Sequence, residues 1–282
     1  MRYQGKWAEQ MIQLQQADGK WGHFHSLSAN SGSPITTEQA LRRLECLGYT
    51  IEDDCIQKAV GYLNDCLSGK KQIPDRREKH TDWDAFINLM LATWIRRFTD
   101  ENVLANQIAE KWTYIVSSCF ETGVFDRKRY SSLFLEVFGV ISRKDSLFDI
   151  EHFYIVSILQ NCLDSRTEDL FTSYLLNYPL GIYYVYDRCL SELPPIFESK
   201  QASRYLGAVE MLAKYQQAHE KLGFVAEWLN NNRNENGKWD MGSIVNDKIY
   251  FPLSDSWRNK ETREADCTVR IEALLTEIKS FL

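Results

Sequence analysis

Apolar and polar positions follow a helical period along almost the whole chain. Residues 6–16 place Trp7, Met11, Ile12 and Leu14 on a first predicted helix, and Asp18-Gly19 ends it by turn chemistry. A loop rich in Ser, Gly and Asn runs to Pro34. Thr36 or Thr37 is then a helix cap, with Glu38 or Gln39 near the capping-box position. That second helix carries Ala40, Leu41, Leu44 and Leu47 and stops at Gly48. A third opens at Asp53 or Asp54, buries Ile56, Ala59, Val60 and Leu63, and stops at Gly69. Past a polar loop containing Pro74 and His80, Thr81 or Asp82 caps a fourth through Phe86, Leu89, Met90 and Ile95. A fifth runs from Asp100 through Trp112 and Val116, and Gly123 breaks it.

The second half repeats the pattern. Helices are predicted over 131–141, 149–162, 167–177, 199–217, 219–231 and 264–281, with a Tyr-rich stretch at 180–193 entered through Pro179. Pro194-Pro195 is the strongest breaker, and 232–262 is a long loop. This amounts to about twelve helices without a strand pair, an all-α chain. No linker composition interrupts it, so residues 1–282 are expected to form one domain.

One short motif occurs near each end. Leu14-Gln15-Gln16-Ala17-Asp18-Gly19-Lys20-Trp21 is echoed by Asn232-Arg233-Asn234-Glu235-Asn236-Gly237-Lys238-Trp239. In each, an amphipathic run ends in a polar turn and then in Gly-Lys-Trp. A Trp two residues past a helix-ending Gly can fold back over the helix, bury its ring and give its N–H to a carbonyl. Gln15 or Gln16, and Asn232, stand where an amide can bond helix-end groups. Gly19, Gly69 and Gly123 recur at intervals of about 50 residues, as in a degenerate helix-pair repeat.

The first motif resembles the Gln…Gly-x-Trp repeat of squalene and oxidosqualene cyclases, whose α/α toroid is shared with the β subunits of protein prenyltransferases. The segment from Thr37 to Gly48 resembles the helix that follows each such repeat, and Ala59–Leu63 resembles the lead-in to another copy. The resemblance covers 6–67 and 222–275 and thins across 125–215. It implies a single α/α toroid of about six helix pairs, with a central cavity for an apolar or isoprenoid-like ligand.

Composition narrows the partners. A formal net charge of −6 and no long Lys/Arg run argue against nucleic acid. No apolar run reaches the roughly 18 residues of a membrane span. Seven cysteines, with no CxxC and no leader, fit reduced thiols in a cytoplasmic protein. The 8 Trp, 14 Tyr and 14 Phe supply rings for a core or an apolar pocket.

The chemistry is less complete. A cyclase of this kind needs a carboxylic acid kept protonated in an apolar cavity, and the family motif is Asp-x-Asp-Asp. Asp82-Trp83-Asp84 is a bare Asp-x-Asp, and Glu52-Asp53-Asp54 lacks the first Asp. Asp82 and Asp84 are therefore the candidate catalytic pair, against the plainer reading of acids at a helix start. Asp53 with Cys55, for which His80 or His152 is available as a third ligand, and His23 with His25, which have no Cys or acid partner, are ligand-type pairs; they read as helix-start and loop residues, so no metal or other cofactor is assigned. The stretch 251–270 alternates charged and aromatic residues, with Asp255, Trp257, Arg258, Asp266 and Arg270 as candidate ligand-binding positions. There Asp266 is expected to cap the last helix and hold Arg263 or Arg270, and Arg258 and Arg270 are available to an anionic group. The competing reading is an ion-pair clasp, which would make the protein a non-catalytic scaffold. Paired carboxylates from Asp82 or Asp84 with Asp255 or Asp266 would instead suit carbohydrate chemistry.

Overall fold

A computed structural model describes residues 2–26, 31–79, 82–140 and 149–279. Among these the chain is all-α: eleven α-helices, three one-turn 3-10 helices and no strand, only two isolated bridges. None of these helices is long and apolar enough to cross a membrane. His80 and Thr81 lie outside the described residues. All seven cysteines are free thiols.

The chain packs as two compact units, Met1–Lys111 with Leu253–Asp255, and Trp112–Pro252 with Ser256–Leu282. The first holds α1 (Lys6–Gln13), α2 (Thr37–Cys46), α3 (Asp54–Leu67) and α4 (Trp83–Arg96), and the division falls within α5 (Val103–Cys119). The second holds α6 (Arg127–Phe138), α7 (Phe153–Ile158), α8 (Ser165–Asn177), α9 (Lys200–Leu212), α10 (Gly223–Asn231) and α11 (Lys260–Lys279).

Local chemistry accounts for most boundaries. Thr36 and Gln39 close a complete capping box at α2. Asp126, Asp164 and Ser199 cap α6, α8 and α9 with their side chains. α11 begins at Lys260, earlier than the apolar pattern indicates, because Asn259 accepts from the Thr262 N–H at the helix start.

The helix entered through Pro179 does not form. Ile182 and Tyr186 exchange backbone hydrogen bonds of 2.9 and 3.0 Å in a tight turn, with Tyr184 at φ +81°. Gly181, at φ +63°, stands where a Cβ would lie 2.3 Å from the Arg188 carbonyl oxygen. A tyrosine-rich sequence has helical spacing, but this crossing of backbones leaves no room for helical φ/ψ.

The two Gly-Lys-Trp copies build the same structure, one in each unit. In the first, the Gln16 N–H donates to the Lys20 carbonyl at 2.9 Å and the Gly19 N–H to the Gln16 carbonyl at 2.9 Å. In the second, Asn234 donates to Lys238 at 2.8 Å and Gly237 to Asn234 at 2.9 Å. Each Trp is fully buried. Each indole N–H returns to the carbonyl ten residues earlier, Trp21 to Met11 and Trp239 to Leu229, both at 2.6 Å. Each backbone N–H of the pair meets a threonine hydroxyl on a neighbouring helix, Thr37 on α2 at 2.9 Å and Thr268 on α11 at 3.2 Å. The turn, the ring and the threonine staple a helix end to its neighbour.

Candidate functional site

The predicted acids at 82–84 are at the start of α4. Asp82 is buried at the N-cap position and makes no capping bond to the helix. Asp84 is exposed and holds Arg77 through two 2.8 Å hydrogen bonds. Neighbouring in sequence, the two carboxylates are in different environments.

Asp53 and Cys55 line an open cavity of about 400 Å3 together with Arg2, Glu9, Tyr49 and Asp54. Arg2 donates to Asp53, whose other oxygen accepts from the Thr50 N–H at 2.9 Å. Burial pushes the Cys55 thiol up, with Asp53 adding to the rise, so the thiolate that a metal needs is disfavoured. His25 is engaged by Glu38. Among the described residues no three His, Cys, Asp or Glu side chains gather as a metal set.

The C-terminal candidates are distributed among structural tasks. Asp255 accepts from the Lys6 N–H at 2.9 Å, at the first turn of α1, and the neighbouring Ser254 carbonyl takes the Trp7 indole N–H at 3.0 Å. Trp257 is buried, donates to the Ser243 carbonyl at 2.9 Å and packs on Phe251 with ring centres 5.0 Å apart. Arg258 is exposed. Asp266 lies seven residues into α11 and is buried, so it does not cap that helix. Arg263 pairs with Asp240 instead, at 2.6 and 2.7 Å.

Arg270 is the most heavily committed of them. Its guanidinium makes a two-pronged pair with Glu210 at 2.6 and 3.1 Å and donates to the Ser203 hydroxyl and carbonyl at 3.0 and 3.1 Å. It also lies 4.3 Å from the centre of the Tyr250 ring and 5.0 Å from that of Phe251. Tyr250 reaches it because residue 207 is a glycine: a Cβ there would lie 2.2 Å from the Tyr250 hydroxyl. An anion would have to displace these partners, so this arginine serves the fold. Arg270→Ala is expected to cost about 2–4 kcal/mol in a urea melt, since it strips a desolvated pair of one partner. Arg270→Lys should lose about half of that, because a point charge cannot reproduce the fork. A loss below about 0.5 kcal/mol for Arg270→Ala would show that the pair is worth no more than a surface one.

A different carboxyl is buried beside aromatic rings. Glu151, just before α7, is 2% exposed. Its Oε1 accepts from the Tyr174 hydroxyl on α8, while its Oε2 is buried with no hydrogen-bond partner among the described residues. Tyr174 stacks on Tyr178 with ring centres 5.7 Å apart, and Phe125 lies 5.1 Å from Tyr174. Tyr174, Tyr178 and Phe125 are all half-buried. Arg127 and Asp149 form an ion pair near this acid. Burial pushes the Glu151 carboxyl above the ordinary glutamate value and Asp149 adds to the rise; the Tyr174 hydrogen bond and Arg127 oppose it without cancelling it.

The backbone fixes this acid in place. The Tyr183 N–H donates to the Glu151 carbonyl at 3.0 Å, and the Phe153 N–H to the Tyr183 carbonyl at 3.2 Å. His152 stacks on Tyr154 with centres 5.0 Å apart, and the exposed Tyr183 ring lies 5.0 Å from the imidazole. The Tyr184 turn therefore carries two exposed rings beside the acid's own segment. The sequence signal for Glu151 was weak but real: one acid in Ile150-Glu151-His152-Phe153-Tyr154-Ile155-Val156, an otherwise apolar run.

No family model, curated protein or solved structure matches the chain.

Proposed function

We propose that the protein binds an apolar, isoprenoid-like ligand against Phe125, Tyr174 and Tyr178, with Glu151 as the acid that meets it. The reading rests on one observation: a buried carboxyl oxygen without a hydrogen-bond partner among the described residues, beside aromatic rings. A carboxyl biased toward its neutral form can hydrogen-bond a ligand oxygen or protonate an alkene, and aromatic faces stabilise the positive charge that follows. The architecture that goes with this reading is an α/α toroid of helix pairs, supported by the two Gly-Lys-Trp staples.

The test is a fluorescence titration with an isoprenoid alcohol such as farnesol between pH 5 and 8. Wild type is expected to bind. Phe125→Ala should weaken binding about tenfold, the worth of one aromatic contact plus its area. Glu151→Gln should remove the pH dependence. Stability gives the control. The folded protein holds the Glu151 proton more tightly than the unfolded chain does, so this group's contribution falls as pH rises from the unfolded value through the folded one. Glu151→Gln should therefore gain on wild type between pH 4 and pH 8.

The commitment of Arg270 and Asp255 to the fold favours a second reading, a non-catalytic scaffold. Wild type that binds no isoprenoid alcohol at millimolar concentration, with Glu151→Gln still gaining stability at high pH, would leave that reading standing.

A further inference from the structure

A second buried acid lies in the first unit, and its partners differ. Glu38, in the first turn of α2, is 4% exposed. Its Oε1 accepts from the Trp94 indole N–H at 3.2 Å and lies 3.6 Å from the Arg42 guanidinium. Its Oε2 is 3.0 Å from His25 Nδ1. The imidazole is about a quarter exposed, and the Phe86 ring on α4 meets it edge-on at 5.9 Å.

His25 belongs to a segment pinned on two sides. The His23 and Phe24 carbonyls accept from the Thr37 and Glu38 N–H groups at 2.9 and 3.1 Å, satisfying donors that the first turn of α2 leaves free. On the other side the Asp75 carboxylate collects the N–H groups of Phe24, His25 and Ser26 at 2.5, 2.9 and 2.9 Å, and the Ser26 hydroxyl at 3.0 Å. These bonds anchor the backbone. The bond between His25 and Glu38 joins two side chains and includes an imidazole, which titrates near neutral pH.

We propose that His25 and Glu38 form a pH-operated latch that holds residues 22–26, the continuation of the first Gly-Lys-Trp motif, on the start of α2. Among the described residues, the charged groups that act on the imidazole are Glu38 from α2 and Asp75 and Glu78 from the loop after α3; Arg42 from α2 pairs with Glu38, and α4 contributes the Phe86 and Trp94 rings. The three carboxylates named favour a cation at the imidazole. Burial alone would lower the imidazole's proton affinity; Glu38, then Asp75 and Glu78, reverse that and carry it above the ordinary value of about 6.5. With the proton on, the buried Glu38 carboxylate faces a second cation and is compensated on both oxygens. With the proton off, the contact between His25 and Oε2 is at most a neutral hydrogen bond. The raised value fixes the sign: the latch is fully formed below about pH 6.5 and loosens as pH rises through the folded-state value. The Asp75 contacts remain, so loosening is local and leaves the unit folded.

The experiment is a proton NMR titration of His25 with hydrogen exchange of the amides of residues 23–26, corrected for base catalysis, from pH 5.5 to 9. His25 is expected to titrate above the ordinary imidazole value, and these amides to lose protection in step with it. Glu38→Gln should lower the His25 midpoint and abolish the step. Should that variant fail to fold, His25→Asn supplies the same arm, with protection low and flat across the range. A His25 midpoint at or below the ordinary value, or unchanged protection on either side of it, overturns the proposal.

Discussion

Trp21→Ala and Trp239→Ala are each expected to destabilise the protein by about 3–5 kcal/mol, the range for emptying a buried aromatic site. Both rings are fully buried, and both indole N–H groups return to the carbonyl ten residues back. Truncation therefore removes packing and also frees a buried acceptor. Phenylalanine separates the two effects. It restores most of the ring and leaves only the carbonyls of Met11 or Leu229 unpaired, which costs about 1–2 kcal/mol. The two sites are in different units, so the double variant should show additive losses. Urea denaturation of the three alanine variants checks this. An alanine variant losing less than about 1 kcal/mol would mean that the motif is decoration rather than a staple.

The glycines two residues before these tryptophans separate more sharply. Gly19→Ala should cost about 3–4 kcal/mol, and Gly237→Ala only about 1–2 kcal/mol. Both have positive φ, +97° and +73°, so both pay the left-handed cost of a Cβ. Only Gly19 also lies against another backbone: its Cβ would fall 2.3 Å from the Lys58 carbonyl oxygen and 2.7 Å from its carbon. Helix α3 cannot yield there, because Gln15 also bridges the Gly19 and Cys55 carbonyls at 2.9 and 2.8 Å. At Gly237 nothing among the described residues lies within 4 Å of the added methyl. Equal losses at the two positions would show that conformation alone, and not the approach of α3, selects glycine at residue 19. Thermal melts of the two single variants are sufficient to tell.

The candidate site was legible to a lesser degree. Asp82 and Asp84 were attractive because spacing is visible in a sequence, whereas solvation is not. One is buried and the other is on the surface with Arg77, and nothing in Asp-Trp-Asp says which. Arg270 has the composition of an anion site until its four donor contacts to Glu210 and Ser203 are known, and those residues are 60 and 67 positions away. Glu151 is inconspicuous in the sequence for the converse reason. A single acid in an apolar run carries no motif, and its chemistry comes from Tyr174, 23 residues on, and from the rings around it.

By itself the sequence determined what depends on neighbours within a few turns: the all-α class, the Thr36 capping box of α2, the start of α9 at 199–200, and both Gly-Lys-Trp staples, whereas α6 and α8 start at 127 and 165, ahead of the apolar pattern, because Asp126 and Asp164 cap them. Those features rest on periodicity, capping and φ preference, which are local energies of about 1 kcal/mol each. Tertiary structure decided the rest. It turned the tyrosine segment at 180–193 away from helix, matched Arg270 with Glu210 and His25 with Glu38, and buried Glu151 with one oxygen unpartnered among the described residues. Desolvation and charge pairing depend on which distant residues arrive at a point in space, and that information is spread over the whole chain.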